Sequence, residues 1–216
     1  QRDIDQALKS YPYHHIAKLG EAEGTLNRMA IYSKHPILSA RKLDYPSNYN
    51  GSMVYELKIG EDTLLLINNH LESNKLTKAD KEVYEEMLAT PERKKVENGV
   101  RLLLSKLAEA SAIRAPQADA IARVVGQSRH SSVIVCGDFN DTPISYAHRI
   151  AGRGLNDAFA QSGQGLGISY NQNKFYFRID HILTSKDLQT YNCTVDKSIK
   201  DSDHYPIWCY FTFKEK

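Results

Sequence analysis

Two short apolar runs constrain this chain most, because each abuts a polar cluster dense in reactive groups. Val133 to Cys136 leads directly into Gly137-Asp138-Phe139-Asn140-Asp141-Thr142-Pro143, and Ser202-Asp203-His204-Tyr205-Pro206 leads directly into Ile207 to Phe213. Short apolar runs bounded by Gly, Pro, Asp and Ser read as buried strands. A strand end can present polar groups in the open while the strand holds them rigid. Carboxylates and an amide beside an imidazole suit a hard divalent cation and a water to be deprotonated. The substrate such a set would attack is a phosphate ester.

The rest of the chain supplies the frame. Ile4, Ala7 and Leu8 share a helical face that Tyr11-Pro12 ends. Runs at Met29 to Ser33, Ile37 to Leu43, Ser52 to Ile59 and Thr63 to Asn69 are separated by His35-Pro36, Asn48 to Gly51 and Gly60 to Asp62, which predicts an antiparallel meander. The period then changes, giving helices over Thr77 to Leu88, Pro91 to Glu109 and Pro116 to Gly126, with Thr77 and Asp80 set to cap the first. Strands resume at Val133 to Cys136, Tyr176 to Leu183, near Cys193 to Val195, and at Ile207 to Phe213. The last is apolar on both faces and reads as central in its sheet. Strands, a helical block and strands again predict two packed sheets flanked by helices. Gly163 to Gly167 lacks a lysine and a following helix, so it reads as a plain loop and not as a phosphate-binding P-loop.

Composition narrows the function classes. The 216 residues fit one domain, with 41% hydrophobic and 25% charged residues as in a soluble globular protein. A net charge of +2 gives no global basic field for nonspecific nucleic-acid binding. No apolar run approaches the roughly 20 residues of a membrane span. Cys136, Cys193 and Cys209 are too sparse for a disulfide framework and form no C-x-x-C pair, so they read as buried hydrophobes. The mixed charges from Lys75 to Lys106 read as a solvated helical face.

Residue by residue, Asp203 and His204 are adjacent on an extended chain and point apart, so they have different tasks. Asp203 is assigned to a metal ion and His204 to the attacking water. A histidine base needs a partner to fix its tautomer. That partner is Asp180 in Arg178-Ile179-Asp180-His181-Ile182-Leu183, where alternation puts His181 on the opposite, structural face. Asp138 and Asn140 flank the core-facing Phe139; Asp138 orients the water and Asn140 holds the scissile phosphate. Asp141 reads as a turn residue. His70, in Asn68-Asn69-His70-Leu71-Glu72-Ser73, ends another apolar run and is a candidate electrophile or acid on the phosphate.

Together these motifs resemble the endonuclease/exonuclease/phosphatase superfamily, the fold of pancreatic-type deoxyribonuclease and apurinic endonucleases. The resemblance rests on Asn69-His70-Leu71, Gly137 to Asn140, Ile179-Asp180 and Ser202 to Pro206, and runs from about Met29 to the C-terminus. Arg114 with Gln117-Ala118 resembles an R-x-x-Q-A helix of the branch that includes bacterial and sphingomyelinase-like members. Asn27 aligns with a family position that partners the strand-end histidine. The resemblance implies an α/β fold, a four-layer α/β-sandwich. It implies Mg²⁺- or Mn²⁺-dependent hydrolysis of a phosphodiester or phosphomonoester, with His70, Asp138, Asn140, Asp180 and His204 catalytic, Asp203 near the metal, and Asn27, Arg114 and Arg178 on the substrate. Lys34, Lys174, Arg178, Tyr170, Phe175 and Tyr176 are further candidates for contacting a nucleic acid.

One feature departs from the family. A glutamate ending a second strand is the family's main metal ligand, and no Q-E pair ends an apolar run before Met29; Glu21 and Glu23 sit in a polar loop. The expectation is a single domain, 1–216, that lacks its first strands and is a poor enzyme as it stands. The expected partner is a phosphoester, nucleic acid or lipid headgroup, acted on by a monomer with no obligate protein partner. A soluble location and a tether through an upstream segment both stay open. The competing reading is a noncatalytic binding module that keeps the fold.

Overall fold

The computed structural model describes residues 2–19, 27–47, 49–74, 76–89, 93–172 and 175–214. Helix α1 (Arg2–Ala7) precedes strands β1 (Tyr13–Lys18), β2 (Arg28–Ser33), β3 (Ile37–Lys42), β4 (Gly51–Ile59) and β5 (Asp62–His70). Helices α2 (Lys78–Ala89) and α3 (Arg93–Gly126) follow, then β6 (Ser132–Asp138), α4 (Tyr146–Ala151), β7 (Asn156–Asp157) and α5 (Ala158–Ser162). The chain closes with β8 (Tyr170–Gln172), β9 (Phe175–Phe177), β10 (Asp180–Thr184), β11 (Leu188–Val195) and β12 (Ile207–Phe213).

Six strands form one sheet in the order β3-β4-β5-β6-β10-β7. β4 and β5 pair through a tight turn with Ile59 opposite Asp62, where Gly60 takes a φ of 60° that a side chain would resist. β5 and β6 are parallel. Parallel neighbours need a long crossover, and α2 and α3 supply it.

Alternation along the strands gives the sheet two apolar faces. Val54, Leu65, Ile67, Val133, Val135 and Leu183 pack under Ala118 and Ile121 of α3 and Ala147 and Ala151 of α4. On the other face Met53, Tyr55, Leu57, Leu64 and Ile134 meet Ala17 and Met29 of β1 and β2, Leu188 of β11, and Phe211 and Phe213 of β12. The expected α/β-sandwich is therefore present, its second sheet layer made of separate ladders, β1-β2 and β11-β12. Among the described residues no helix is long and apolar enough to cross a membrane.

Several boundaries differ from expectation. β1 occupies a stretch that the sequence marks only as the end of a helix, and β2 pairs with it rather than joining the meander. Tyr176 to Leu183 divides into β9 and β10. β12, expected to be central, pairs only with β11 among the described residues, and its side chains alternate between half-buried and exposed. The helices expected over Pro91 to Glu109 and Pro116 to Gly126 are one helix of 34 residues with Pro116 inside it. Proline forfeits one N–H bond, but Ala, Leu, Glu and Arg around it favour helix, and Gln117, Ala118 and Ile121 anchor the turn that follows in the core. Pro91, Glu21, Glu23, Lys75 and Lys174 lie outside the described residues.

Gly137 is the tightest point of the sheet. Its φ is 123°, and an added Cβ would stand 2.1 Å from the Asn69 carbonyl oxygen on β5. That oxygen is backbone and cannot swing aside. Gly137→Ala should therefore destabilise the fold by ~2 kcal/mol or more, read as a lower midpoint in urea unfolding. An unchanged midpoint would show that β5 and β6 do not approach as described.

Candidate active site

Sheet register alone sets three polar side chains in a row. Parallel pairing of β5 and β6 puts His70 opposite Asp138, and antiparallel pairing of β6 and β10 puts Asp138 opposite Asp180. All three stand where their strands end. His70 Nε2 is 3.6 Å from Asp138 Oδ2, an ion-pair distance too long for a hydrogen bond.

His204 comes to this row from the loop before β12. Its Nδ1 lies 2.7 Å from Asp180 Oδ2, so the ring donates Nδ1–H to the carboxylate and keeps its lone pair on Nε2. The ring meets Tyr170 edge-on, with centroids 5.2 Å apart. Burial pulls the His204 pKa down, but the Asp180 bond and the charges of Asp180, Asp138 and Asp203 outweigh it and leave the pKa raised. His70 goes the other way: burial, then the His204 charge, lower its pKa and keep its ring neutral near pH 7.

Asn140 has a φ of 50°, a left-handed turn that asparagine tolerates. The turn folds its backbone N–H onto Asp138 Oδ1 at 2.7 Å, and its amide onto Asp138 Oδ2 at 2.9 Å and the Leu71 carbonyl at 3.1 Å. Phe139 points fully into the core, as alternation requires. His70, Asp138, Asn140, Asp180, Asp203 and His204 line one cleft of about 740 Å³.

The remaining sequence candidates are placed differently. Arg114 lines the cleft but is 1% exposed, its guanidinium bonded to Asp141, Asn74, Ser111 and the Glu72 carbonyl. Gln117 accepts from the Glu72 N–H at 2.9 Å. The Arg114–Gln117 pair thus grips the chain as it leaves β5 just beyond His70. Asp141 is more than a turn residue, since it holds Arg114 and its carbonyl accepts from His181. Arg178 turns away from the cleft: its guanidinium binds Asp157 at 3.0 Å and lies over Phe159. Asn27 donates to the Tyr49 carbonyl at 3.1 Å and is not part of the cleft lining.

His148, Asp157 and His181 form a second cluster with metal-ligand atoms close together. His148 Nε2 and Asp157 are engaged with each other, and His181 Nε2 donates to the Asp141 carbonyl, while the buried His181 Nδ1 has no hydrogen-bond partner among the described residues. Asp157 caps α5 through the Phe159 and Ala160 N–H groups and binds Arg178. His181 is fully buried, and burial, then the His148 charge, hold its pKa at about 3. Its burial matches the core-facing side that alternation predicts for it.

Sequence reasoning missed Ser169, which is fully buried. Its hydroxyl accepts from the Ile179 and Asp180 N–H groups at 3.1 Å, and its carbonyl accepts from Tyr205 N–H at 2.7 Å. One serine therefore ties the strand carrying Asp180 to the loop carrying His204. No local pattern marks such a residue. Asn74, which donates to the Asn140 carbonyl and accepts from Arg114, was missed for the same reason.

Burial and then the Asp180 charge push the Asp138 carboxyl up to about 7, against the opposing His204, Asn140 and Arg114. A carboxyl raised above its unfolded value of ~3.9 costs stability fully above its folded pKa, and the cost fades as pH falls toward the unfolded value. In cation-free buffer, Asp138→Asn should therefore gain more stability at pH 8 than at pH 5, by roughly 2 kcal/mol. Paired urea titrations measure it; an equal effect at both pH values would contradict the assigned strain.

Comparison with known proteins agrees with this fold. Searching curated protein sequences gives no match. Among solved structures, humanized D. rerio TDP2 superposes with a TM-score of 0.64 at 16% identity, covering 97% of this chain and 80% of that one. D. rerio TDP2 complexed with single strand DNA product gives 0.62 at 18%, covering 96% and 80%. The human Nocturnin catalytic domain with bound sulfate gives 0.62 at 14%, covering 98% and 77%. These likenesses show a shared fold. The model of the Endonuclease/Exonuclease/phosphatase family matches residues 1–204, beginning well ahead of the Met29 at which the sequence resemblance starts. The chain belongs to the endonuclease/exonuclease/phosphatase family.

Proposed function

We propose that the protein is a divalent-metal-dependent phosphoesterase in which His204 activates water. The observation that carries this reading is the 2.7 Å bond from His204 Nδ1 to Asp180. It fixes the tautomer, aims Nε2 at the water, and stabilises the imidazolium formed when the proton is taken. The family includes metal-dependent phosphoesterases, which fits this chemistry.

The residues present fit a divalent cation. Asp138 and Asp180 face each other across adjacent strands, and with His204 they offer ligand atoms within 4.8 Å of one another. Asp138 and Asp180 would hold the ion, with Asp180 keeping its bond to His204, and Asp203 on the lining of the same cleft would be a further carboxylate for it. Bound there, the ion would neutralise phosphate charge and make a coordinated water more acidic.

The chain's own groups account for the remaining steps. Water oxygen attacks phosphorus as its proton passes to His204 Nε2, and the bond from phosphorus to the ester oxygen breaks. Neutral His70 donates an N–H to a phosphate oxygen or to the departing one. Asn140 holds Asp138 in place through both carboxylate oxygens, and its amide donates to the phosphate by releasing Asp138 Oδ2 or the Leu71 carbonyl.

The base must be unprotonated to work. Because the His204 pKa is raised, kcat/KM for bis-p-nitrophenyl phosphate with Mg²⁺ should climb with pH through a limb above ~6.5, the unperturbed histidine value. Asp180→Asn should move that limb to lower pH and cut the rate, and His204→Ala should remove about 10²–10⁴ of it. Near-normal turnover in His204→Ala, with the fold intact by circular dichroism, would refute the reading.

A further inference from the structure

Helix α3 carries a core-type stripe beyond the sheet that it packs on. In its C-terminal half Ala118 and Ile121 are buried against β5 and β6. Followed toward the N-terminus at three- and four-residue spacing, the same side passes Arg114 and Ser111 to Leu107, Leu104 and Val100. Arg114, Ser111 and Leu107 line the cleft. Leu107, Leu104 and Val100 are 36%, 59% and 39% exposed. An uncovered apolar track that leads into a reactive cleft marks a binding surface. From Ser111 to Val100 it is about 16 Å long.

The cleft continues the same chemistry. Leu76, Phe175, Phe177 and Ile179 share its lining with Leu107, and Tyr84 of α2 stacks on Phe175 with ring centroids 4.1 Å apart. The charge of the described lining suits a ligand with one phosphate better than a polyanion. Among the described residues lining the cleft, Arg114 is the only Lys or Arg, and its guanidinium is already bonded to protein groups. Four aspartates, Asp138, Asp141, Asp180 and Asp203, share that lining. A nucleic acid draws its affinity from Lys and Arg on successive phosphates. A single base would also leave most of the track bare, whereas an alkyl chain would cover it.

Resting on the phosphoesterase reading, we propose that the cleft takes a lipid phosphoester, with its phosphate at the Asp180–His204 end and its alkyl chain along Leu107, Leu104 and Val100. A methylene fully buried on such a track favours binding about fourfold, and a half-covered one less.

The test uses methyl and n-octyl p-nitrophenyl phosphate, which share a leaving group and differ only in the chain. With Mg²⁺, kcat/KM should be at least about tenfold higher for the octyl ester. Leu107→Gln, and separately Leu104→Glu, should shrink that ratio severalfold. Equal values for the two esters would overturn the proposal, as would an undiminished ratio in both variants. So would strong competition by single-stranded oligothymidylate against the octyl ester. Calorimetry with n-octyl phosphate and methyl phosphate reads the chain without turnover. A chain preference there without hydrolysis supports the lipid track and sinks only the phosphoesterase reading; no preference there sinks the track.

Discussion

Two carboxylates held side by side govern this molecule. Asp138 and Asp180 are placed opposite each other by the register of β6 and β10, and neither can retreat without breaking the ladder. Their repulsion in a partly buried site opposes folding, so the neighbourhood is built to contain it. Asn140 adopts a left-handed turn and donates twice to Asp138, while His204 donates to Asp180. Arg114, sealed beneath the cleft, adds a positive charge that also bears on Asp138. The site thus stores strain that a cation or a proton relieves, as expected where function and stability compete.

The same constraint explains why the surrounding scaffold is stiff. β5 and β6 touch at Gly137 with no room for a side chain. Ser169 bolts the start of β10 to the His204 loop, and Arg114 with Gln117 clamps the chain beyond His70. In the proposed mechanism the base must stay within hydrogen-bond reach of its partner; the Ser169 contacts limit the drift of Asp180 and His204, and the Arg114–Gln117 clamp limits that of His70.

The polar row was legible in the sequence because strand ends announce themselves. His70, Asp138, Asp180 and His204 each adjoin an apolar run, and alternation separated Asp180 from His181 correctly. What escaped the sequence depends on partners far along the chain. Arg178 looked like a phosphate ligand, but Asp157, which is also the cap of α5, takes it. Pro116 looked like a boundary, but its neighbours favour helix and core packing holds the turn in line. Ser169 had no local mark at all. β12 looked central because it is apolar throughout, but its exposed side chains alternate with half-buried ones, as on a strand with one covered face.

In the proposed mechanism a water activated by His204 attacks phosphorus directly, with no protein nucleophile between. The stereochemical course tests it most directly, using an ester made chiral at phosphorus with sulfur and oxygen-18. A single in-line displacement predicts inversion of configuration in the product. Retention would mean two displacements through a phosphorylated side chain, and would contradict the account.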